Sequence, residues 1–188
     1  MKIKILITIF LVGILTESYG QESNEKVSIN ASINYAFLGD GDYTGFYYEN
    51  SLIYSIKQSV IISAGLGFII SANNGNKNIL LSHSNAYISG DLLFKIIPIK
   101  SKKFDLYFGF GNSNRYRSEI EVKNVTITNE GTTIKYSNTV SFDIGYTGQV
   151  GMGFKISHKI MILINGELHE YNKGTGVASL GLGVTIKL

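Results

Sequence analysis

Apolar and polar residues alternate with a period of two along almost the whole chain after Gln21, and helical spacing is hard to find. The last segment shows the pattern clearly. Ala178, Leu180, Leu182, Val184, Ile186 and Leu188 alternate there with Ser179, Gly181, Gly183, Thr185 and Lys187. Alternation of this kind places apolar side chains on one face of a β-strand and polar side chains on the other. The sequence therefore predicts an all-β fold.

Eight segments carry this alternation. They are Lys26 to Leu38, Phe46 to Lys57, Val60 to Ser71, Asn85 to Ile97, one that begins near Phe104, one that ends near Lys155, Ile160 to Tyr171, and Gly176 to Leu188. The connections after the second, fourth and sixth segments are short, and the other connections are longer or more polar. The fifth connection, residues 112–139, is the longest. This arrangement predicts an eight-stranded antiparallel up-and-down β-barrel.

The first 20 residues are typical of a secretory signal peptide. Lys2 and Lys4 precede an apolar run from Ile5 to Leu15, and Ser18-Tyr19-Gly20 forms a small-x-small cleavage site. We therefore expect a signal peptide over residues 1–20 and one barrel domain over residues 21–188. The formal net charge of +3 does not indicate a nucleic-acid partner. Because the chain has no cysteine, a disulfide framework and thiol chemistry are excluded.

The composition of the polar face indicates which side of the barrel meets lipid. A face exposed to water should be rich in Lys and Glu, but this one carries mainly Gly, Ser, Asn and Thr, and charged residues make up only 16% of the chain. Gly-x-Gly recurs on this face at Gly65/Gly67, Gly109/Gly111, Gly151/Gly153 and Gly181/Gly183. Glycine kinks relieve the concave side of strongly curved strands. We therefore expect the glycine face to line the lumen and the apolar face to meet lipid, as in a transmembrane β-barrel. A soluble, lipocalin-like ligand-binding barrel is the alternative.

This pattern over residues 25–188 resembles the small eight-stranded outer-membrane barrels of Gram-negative bacteria, the OmpA/OmpX-like superfamily. The resemblance implies export to the outer membrane, periplasmic N- and C-termini, surface loops, and contact with outer-membrane lipid and the barrel-assembly machinery. In that family the last strand ends on a lipid-facing residue that is usually aromatic, whereas this chain ends on Leu188. We expect a monomer without a cofactor or metal.

Ionisable residues on the predicted lumen face form the first candidate site. They are Glu49, Asp91, Lys95, Asp105, Arg115, Asp143, Lys155 and Glu167. Carboxylates that are removed from water need partners. Since eight strands leave room for little more than side chains, we expect an ion-paired plug. A small conducting pore is the alternative.

One short motif raises an enzymatic alternative. The stretch Ser82 to Ala86, "SHSNA", faintly resembles a motif of outer-membrane lipid A deacylases, which would make the protein a lipid A-modifying hydrolase. A His base must reach the Ser nucleophile. His83 and Ser84 are adjacent, so on a strand they point to opposite faces. His169 shares a face with Glu167, but no serine follows at the family's spacing. The sequence therefore favours a non-enzymatic protein.

The long fifth connection is the second candidate site. Residues 119–140 are rich in Val, Ile and Thr, and Asn129-Glu130-Gly131 is a turn signal at their centre. The fifth and sixth strands are therefore predicted to continue beyond the membrane as a hairpin that carries Val125, Ile127, Asn129, Gly131 and Ile134. OmpX-like barrels carry a protruding sheet of this kind. The resemblance implies a structural role or adhesion and docking at the cell surface, and a hairpin that only shields the barrel mouth is the alternative.

Overall fold

The computed structural model describes residues 26–39, 43–74, 82–128 and 131–188. They form eight antiparallel strands: β1 (Val27–Leu38), β2 (Tyr43–Lys57), β3 (Val60–Asn74), β4 (Ser82–Lys100), β5 (Phe104–Thr128), β6 (Gly131–Lys155), β7 (Ile160–Tyr171) and β8 (Val177–Lys187). Each strand pairs with the next, and β8 pairs with β1, so the sheet closes into a barrel. The predicted eight-stranded up-and-down barrel is confirmed. The predicted signal peptide, residues 1–20, lies outside the described residues.

The strand register gives the barrel its tilt. A path across the paired residues leaves β1 at Ser28 and returns to β1 at Leu38, ten residues further along. The residues between them are Ile53, Ser63, Leu93, Gly111, Thr147, His169 and Val177. A stagger of this kind is what closes a tilted sheet, and barrel strands are typically tilted by about 35–45° from the barrel axis.

Alternate side chains point out of and into the barrel, as their exposure shows. Leu66 and Leu182 are 70% and 61% exposed, whereas Asn34 and Ser63 on the inner face are each 1% exposed. Aromatic side chains lie in the outer surface, among them Tyr35, Phe37 and Phe46, whose rings make edge-to-face contacts. An apolar exterior around a polar interior is the arrangement of a membrane barrel, since a soluble barrel would expose its polar face. Among the described residues, no helix is long and apolar enough to cross a membrane.

The lumen-facing glycines leave space for large side chains of neighbouring strands. A methyl group added to Gly67 would collide with the ring and hydroxyl of Tyr47, and one added to Gly151 would collide with the Tyr107 hydroxyl. A methyl group on Gly65 would likewise meet the Glu49 carboxylate. The glycine face therefore lines the lumen, and one function of these glycines is to accommodate bulky partners.

Strands β5 and β6 are far longer than the others. Each contains 25 residues, against the 9–11 that a tilted strand needs to cross a bilayer. Most of residues 112–139, predicted as a connection, is therefore strand, and the two strands pair as far as Thr128 with Gly131. We call residues 119–140 the β5–β6 hairpin. Of its predicted residues, Asn129 lies outside the described part of the chain.

Candidate functional site

The lumen carries its charged side chains in three groups at different heights. The group nearest the β5–β6 hairpin is built around Arg115, which is 1% exposed. Its Nε atom donates to Asp143 Oδ2 over 2.9 Å. Its two terminal nitrogens donate to the backbone carbonyls of Thr175 and Lys173, each over 2.9 Å. One guanidinium thus satisfies a buried carboxylate and also anchors the turn between β7 and β8.

Two tyrosine rings enclose the Arg115 guanidinium. Its central carbon lies 3.8 Å from the centre of the Tyr171 ring and 4.6 Å from that of Tyr87. Arg117 adds a second bond to Asp143 Oδ2, of 3.1 Å, and its terminal nitrogen donates to Glu119. Stacked rings and paired charges fill this end of the lumen, and cation–π contacts of this kind strengthen when water is excluded.

The middle group is built around His169, which is 2% exposed. Its Nε2 atom lies 3.2 Å from Glu167 Oε2, and its Nδ1 atom lies 3.2 Å from the Ser113 hydroxyl and 3.8 Å from Asp91 Oδ1. Asp91 also accepts from the Tyr47 hydroxyl over 3.2 Å. The network therefore links carboxylates of β4 and β7 across the lumen.

Glu167 receives two amide donors in addition to the histidine. Asn165 Nδ2 donates to its Oε1 over 2.7 Å, and Gln149 Nε2 donates to the same oxygen. Glu49 and Lys95 are buried on the same inner face, with Glu49 beside Gly65 and the Lys95 ammonium 5.6 Å from the centre of the Tyr107 ring. Both carboxylate oxygens of Glu167 therefore have hydrogen-bond partners, and the side chains of this group are buried in the lumen.

The third group lies near the short turn between β4 and β5. Lys155 Nζ donates to Asp105 Oδ1 and to the backbone carbonyl of Ser101, each over 2.6 Å. All eight charged residues chosen from the sequence thus lie on the inner face or at its rim. The Arg115 and His169 groups meet at Ser113, whose hydroxyl lies 3.2 Å from His169 Nδ1 and 3.0 Å from the Tyr171 hydroxyl, and the Lys155 group lies apart, near the β4–β5 turn.

Several members of these groups were missed by the sequence argument. Arg117 and Glu119 follow Arg115 at two-residue spacing and so share its face, but they were assigned to a loop. Alternation with Ala86 and Ile88 places Tyr87 on the inner face, and Tyr47 and Tyr171 could have been placed there in the same way. The ring contacts and hydrogen bonds of all three depend on other strands. The whole "SHSNA" motif, Ser82 to Ala86, lies at the start of β4. The side chains of Ser82 to Ser84 are outside the described part.

Ser113, His169 and Glu167 form a chain of contacts like that of a hydrolase triad. Ser113 is fully buried, and its hydroxyl also lies 3.0 Å from the Tyr171 hydroxyl. A nucleophile must reach a substrate carbonyl, and this serine is enclosed by lumen side chains. The geometry therefore indicates structural hydrogen bonding. Among the described residues, no group of side chains has the arrangement of a metal site.

The β5–β6 hairpin leaves a long strand edge without a neighbour. In the described residues, β7 pairs with β6 only from Gly145 onward, and β4 pairs with β5 only as far as Ile120. Among the described strands, none therefore pairs with the outer edge of β6 from Gly131 to Asp143. Val125 and Ile127 are 39% and 79% exposed, so the hairpin also presents apolar side chains.

A closed eight-stranded barrel with an apolar exterior and a filled polar lumen defines the class of the small transmembrane β-barrels. No protein-family model and no curated protein matches the sequence. Solved structures do match the fold. Neisserial surface protein A (NspA) is 14% identical, with 89% of this chain and 100% of that chain covered and a TM-score of 0.57.

Two further structures support the same class. Ail, the attachment invasion locus protein of Yersinia pestis, in complex with the heparin analogue sucrose octasulfate, is 12% identical, covers 86% of this chain and 97% of its own, and has a TM-score of 0.55. The outer membrane protein OprG from Pseudomonas aeruginosa is 11% identical and has a TM-score of 0.54. The match covers 86% of this chain and 96% of that chain. The eight-stranded barrel fold expected from the resemblance to OmpA/OmpX-like outer-membrane barrels is thus confirmed.

Proposed function

We propose that the protein is a non-enzymatic outer-membrane barrel whose β5–β6 hairpin mediates adhesion or docking at the cell surface. The single observation that carries the proposal is the outer edge of β6 along Gly131 to Lys135 and Ser137 to Asp143, with which no strand of the described residues pairs. Free backbone N–H and C=O groups on a strand edge can accept an extended segment of a partner. An outer-membrane barrel that only spans the bilayer needs no strands of this length.

The lumen supports the non-enzymatic part of the proposal. The Ser113-His169-Glu167 arrangement is enclosed, and the Arg115 group fills the end of the lumen nearest the hairpin. The same filling argues against a small pore. A shared fold does not determine activity, so this part rests on the site itself.

The similar structures agree with a role at the surface. One is described as a surface protein and another as an attachment invasion locus protein bound to a heparin analogue. In this proposal residues 1–20 direct export and are removed. Both termini then lie in the periplasm, beside the short turns, and the hairpin lies outside. The barrel-assembly machinery would insert the chain.

The test replaces Glu119 to Tyr136 with a short Gly-Ser turn. The barrel should still assemble and keep its heat-dependent mobility on gels, because β5 and β6 retain their membrane-spanning parts. Binding of expressing cells to a panel of matrix proteins, heparin and host-cell surfaces should fall. A control variant carries the same linker in place of residues 75–81, which connect β3 and β4 at the same end of the barrel.

Equal loss of binding in both variants would indicate a general effect of shortening surface segments. Unchanged binding of the hairpin variant across the panel would reject the proposal and leave the hairpin as a structural lid.

A further inference from the structure

Lysines are concentrated at the end of the barrel that carries the short turns. The structure describes 14 lysine and arginine residues, and eight of them, all lysines, lie at this end. We call these eight residues the lysine rim. They are Lys26, Lys57, Lys100, Lys102, Lys103, Lys155, Lys159 and Lys187.

The lysine rim continues from strand to strand around the barrel mouth. The Lys155 amide donates to the Lys103 carbonyl over 2.8 Å, and the Lys187 amide donates to the Lys159 carbonyl over 2.9 Å. The other members lie at the start of β1, at the ends of β2 and β4, and in the turn after β4. The positive charges therefore surround the mouth and are not confined to one side of it.

Little negative charge balances the lysine rim. Apart from the terminus at Leu188, the carboxyl group that the described residues place at this end is that of Asp105, which is buried and accepts from Lys155 Nζ. At the opposite end, the two arginines of the Arg115 group are ion-paired with carboxylates. The excess of positive charge in the described part of the chain therefore lies at the short-turn end.

The lysine rim lies at the edge of the lipid-facing surface. Ile56, Ile99 and Ile186 each directly precede a rim lysine in the sequence, and each is exposed. Neighbours on a strand point to opposite faces, so Lys57 and Lys187 leave their strands on the inner side of the mouth. Because eight strands enclose little more than side chains, these ammonium groups stay within roughly one Debye length, about 10 Å, of the lipid headgroups around the barrel.

The shape and composition of this end favour lipid over a protein as the partner. The three short turns contain nine residues between them, well below the roughly 20–30 residues per partner of a standard protein interface. Lysine carries a compact charge on a flexible stem, whereas arginine provides the planar fork that suits a fixed carboxylate or phosphate. A ring of lysines therefore suits several mobile phosphate groups that surround the barrel.

We infer that the lysine rim binds the phosphate groups of anionic phospholipids in the leaflet that holds the short turns. Basic segments at a membrane surface are attracted to anionic lipids in this way. In the orientation proposed above, this leaflet is the periplasmic one. The inference requires only that the barrel spans a membrane, so it does not depend on adhesion by the β5–β6 hairpin.

The test compares two variants of the full chain that each lose three positive charges. The rim variant carries Lys57→Gln, Lys102→Gln and Lys103→Gln, and the control variant carries Lys123→Gln, Lys135→Gln and Lys173→Gln at the opposite end. All six side chains are exposed. Lys100 and Lys155 stay intact, because their ammonium groups bond to turn carbonyls. Heat-dependent gel mobility shows whether each variant folds.

Each protein is reconstituted in phosphatidylcholine vesicles that contain a minor share of phosphatidylglycerol. Electron paramagnetic resonance of a spin-labelled lipid then gives the fraction of that lipid held at the barrel surface. We expect the wild type to prefer labelled phosphatidylglycerol over labelled phosphatidylcholine by at least about twofold. The preference should fall between about 0.1 M and 1 M salt, since the Debye length shortens to about 3 Å. The rim variant should lose most of the preference and the control variant should keep it.

Three results would overturn the inference. The first is a wild type without any preference for phosphatidylglycerol, which needs no variant to be seen. The second is an equal loss of preference in the rim and control variants. The third is binding of a soluble glutamate-rich peptide that the rim variant loses, in vesicles where the wild type shows no lipid preference, because the lysine rim would then serve an acidic protein partner.

Discussion

At the residue scale, glycines on one strand leave space in the lumen for large side chains of the neighbouring strand. Tyr47 is fully buried, donates to Asp91, and lies against Gly67 of β3. Gly148, in contrast, faces lipid, and a methyl group added there would meet nothing within 4 Å. The same residue type therefore serves two different environments in one barrel.

This contrast gives a matched pair of substitutions. Gly67→Ala should destabilise the barrel by about 1–3 kcal/mol, because a methyl group must displace the Tyr47 ring from a packed lumen. Gly148→Ala should be neutral or slightly stabilising, since the added methyl reduces the freedom of the unfolded chain without a clash. Urea unfolding in lipid vesicles measures both free energies. Equal effects of the two substitutions would contradict the packing described for Tyr47.

At the element scale, the environment of a residue depends on its position along the strand as well as on the face to which its side chain points. Leu66 on β3 and Leu182 on β8 lie in the lipid-facing surface, whereas Ile127 on β5 lies on the hairpin beyond it. All three are strongly exposed in the isolated chain, at 70%, 61% and 79%. Exposure alone does not distinguish them, but position along the strand does.

Arginine substitutions should separate the two environments. Leu66→Arg and Leu182→Arg place a charge in hydrocarbon and should each cost about 2–4 kcal/mol of barrel stability. Ile127→Arg should leave barrel stability unchanged, because its side chain is outside the bilayer. Unfolding in vesicles of defined lipid composition gives the comparison. If the first two variants were as stable as the wild type, the apolar face would not be the lipid-facing face.

At the scale of the whole molecule, the barrel encloses a filled lumen. Arg115 is the largest fully buried side chain among the described residues, and it joins β5 to β6 and to the turn after β7. The ring centres of Tyr87 and Tyr171 lie 4.6 Å and 3.8 Å from its central carbon. A continuous water path past this level would require these groups to separate, since eight strands leave space for little more than side chains.

Electrical recording tests the filled lumen. The wild-type barrel in a planar lipid bilayer should show no steady conductance. Arg115→Ala removes the central side chain and its bonds to the turn, so it should allow stepwise conductance events. A variant on the hairpin surface, Ile127→Ala, should behave as the wild type. Steady conductance by the wild type would favour the pore that the sequence left open.

The sequence by itself determined the strands, their number and the two faces of each strand. The reason is local, because a side chain's face on a strand depends only on whether its position is odd or even. Apolar alternation without helical spacing, and Gly-x-Gly pairs confined to one face, were enough to predict a lipid-facing exterior. The turn signal at residues 129–131 was likewise enough to predict a hairpin.

Only the tertiary structure decided which lumen side chains meet. Ser113 reaches His169 and Arg115 reaches Tyr171 across the barrel, from β5 to β7. Such neighbours depend on the register of every strand pair and on the ten-residue stagger at closure, which no local pattern encodes. The bulge at Lys123 is a further case. The sequence shows a break in alternation there, and only the pairing of β5 with β6 shows that Val125 and Ile127 remain on the outer side.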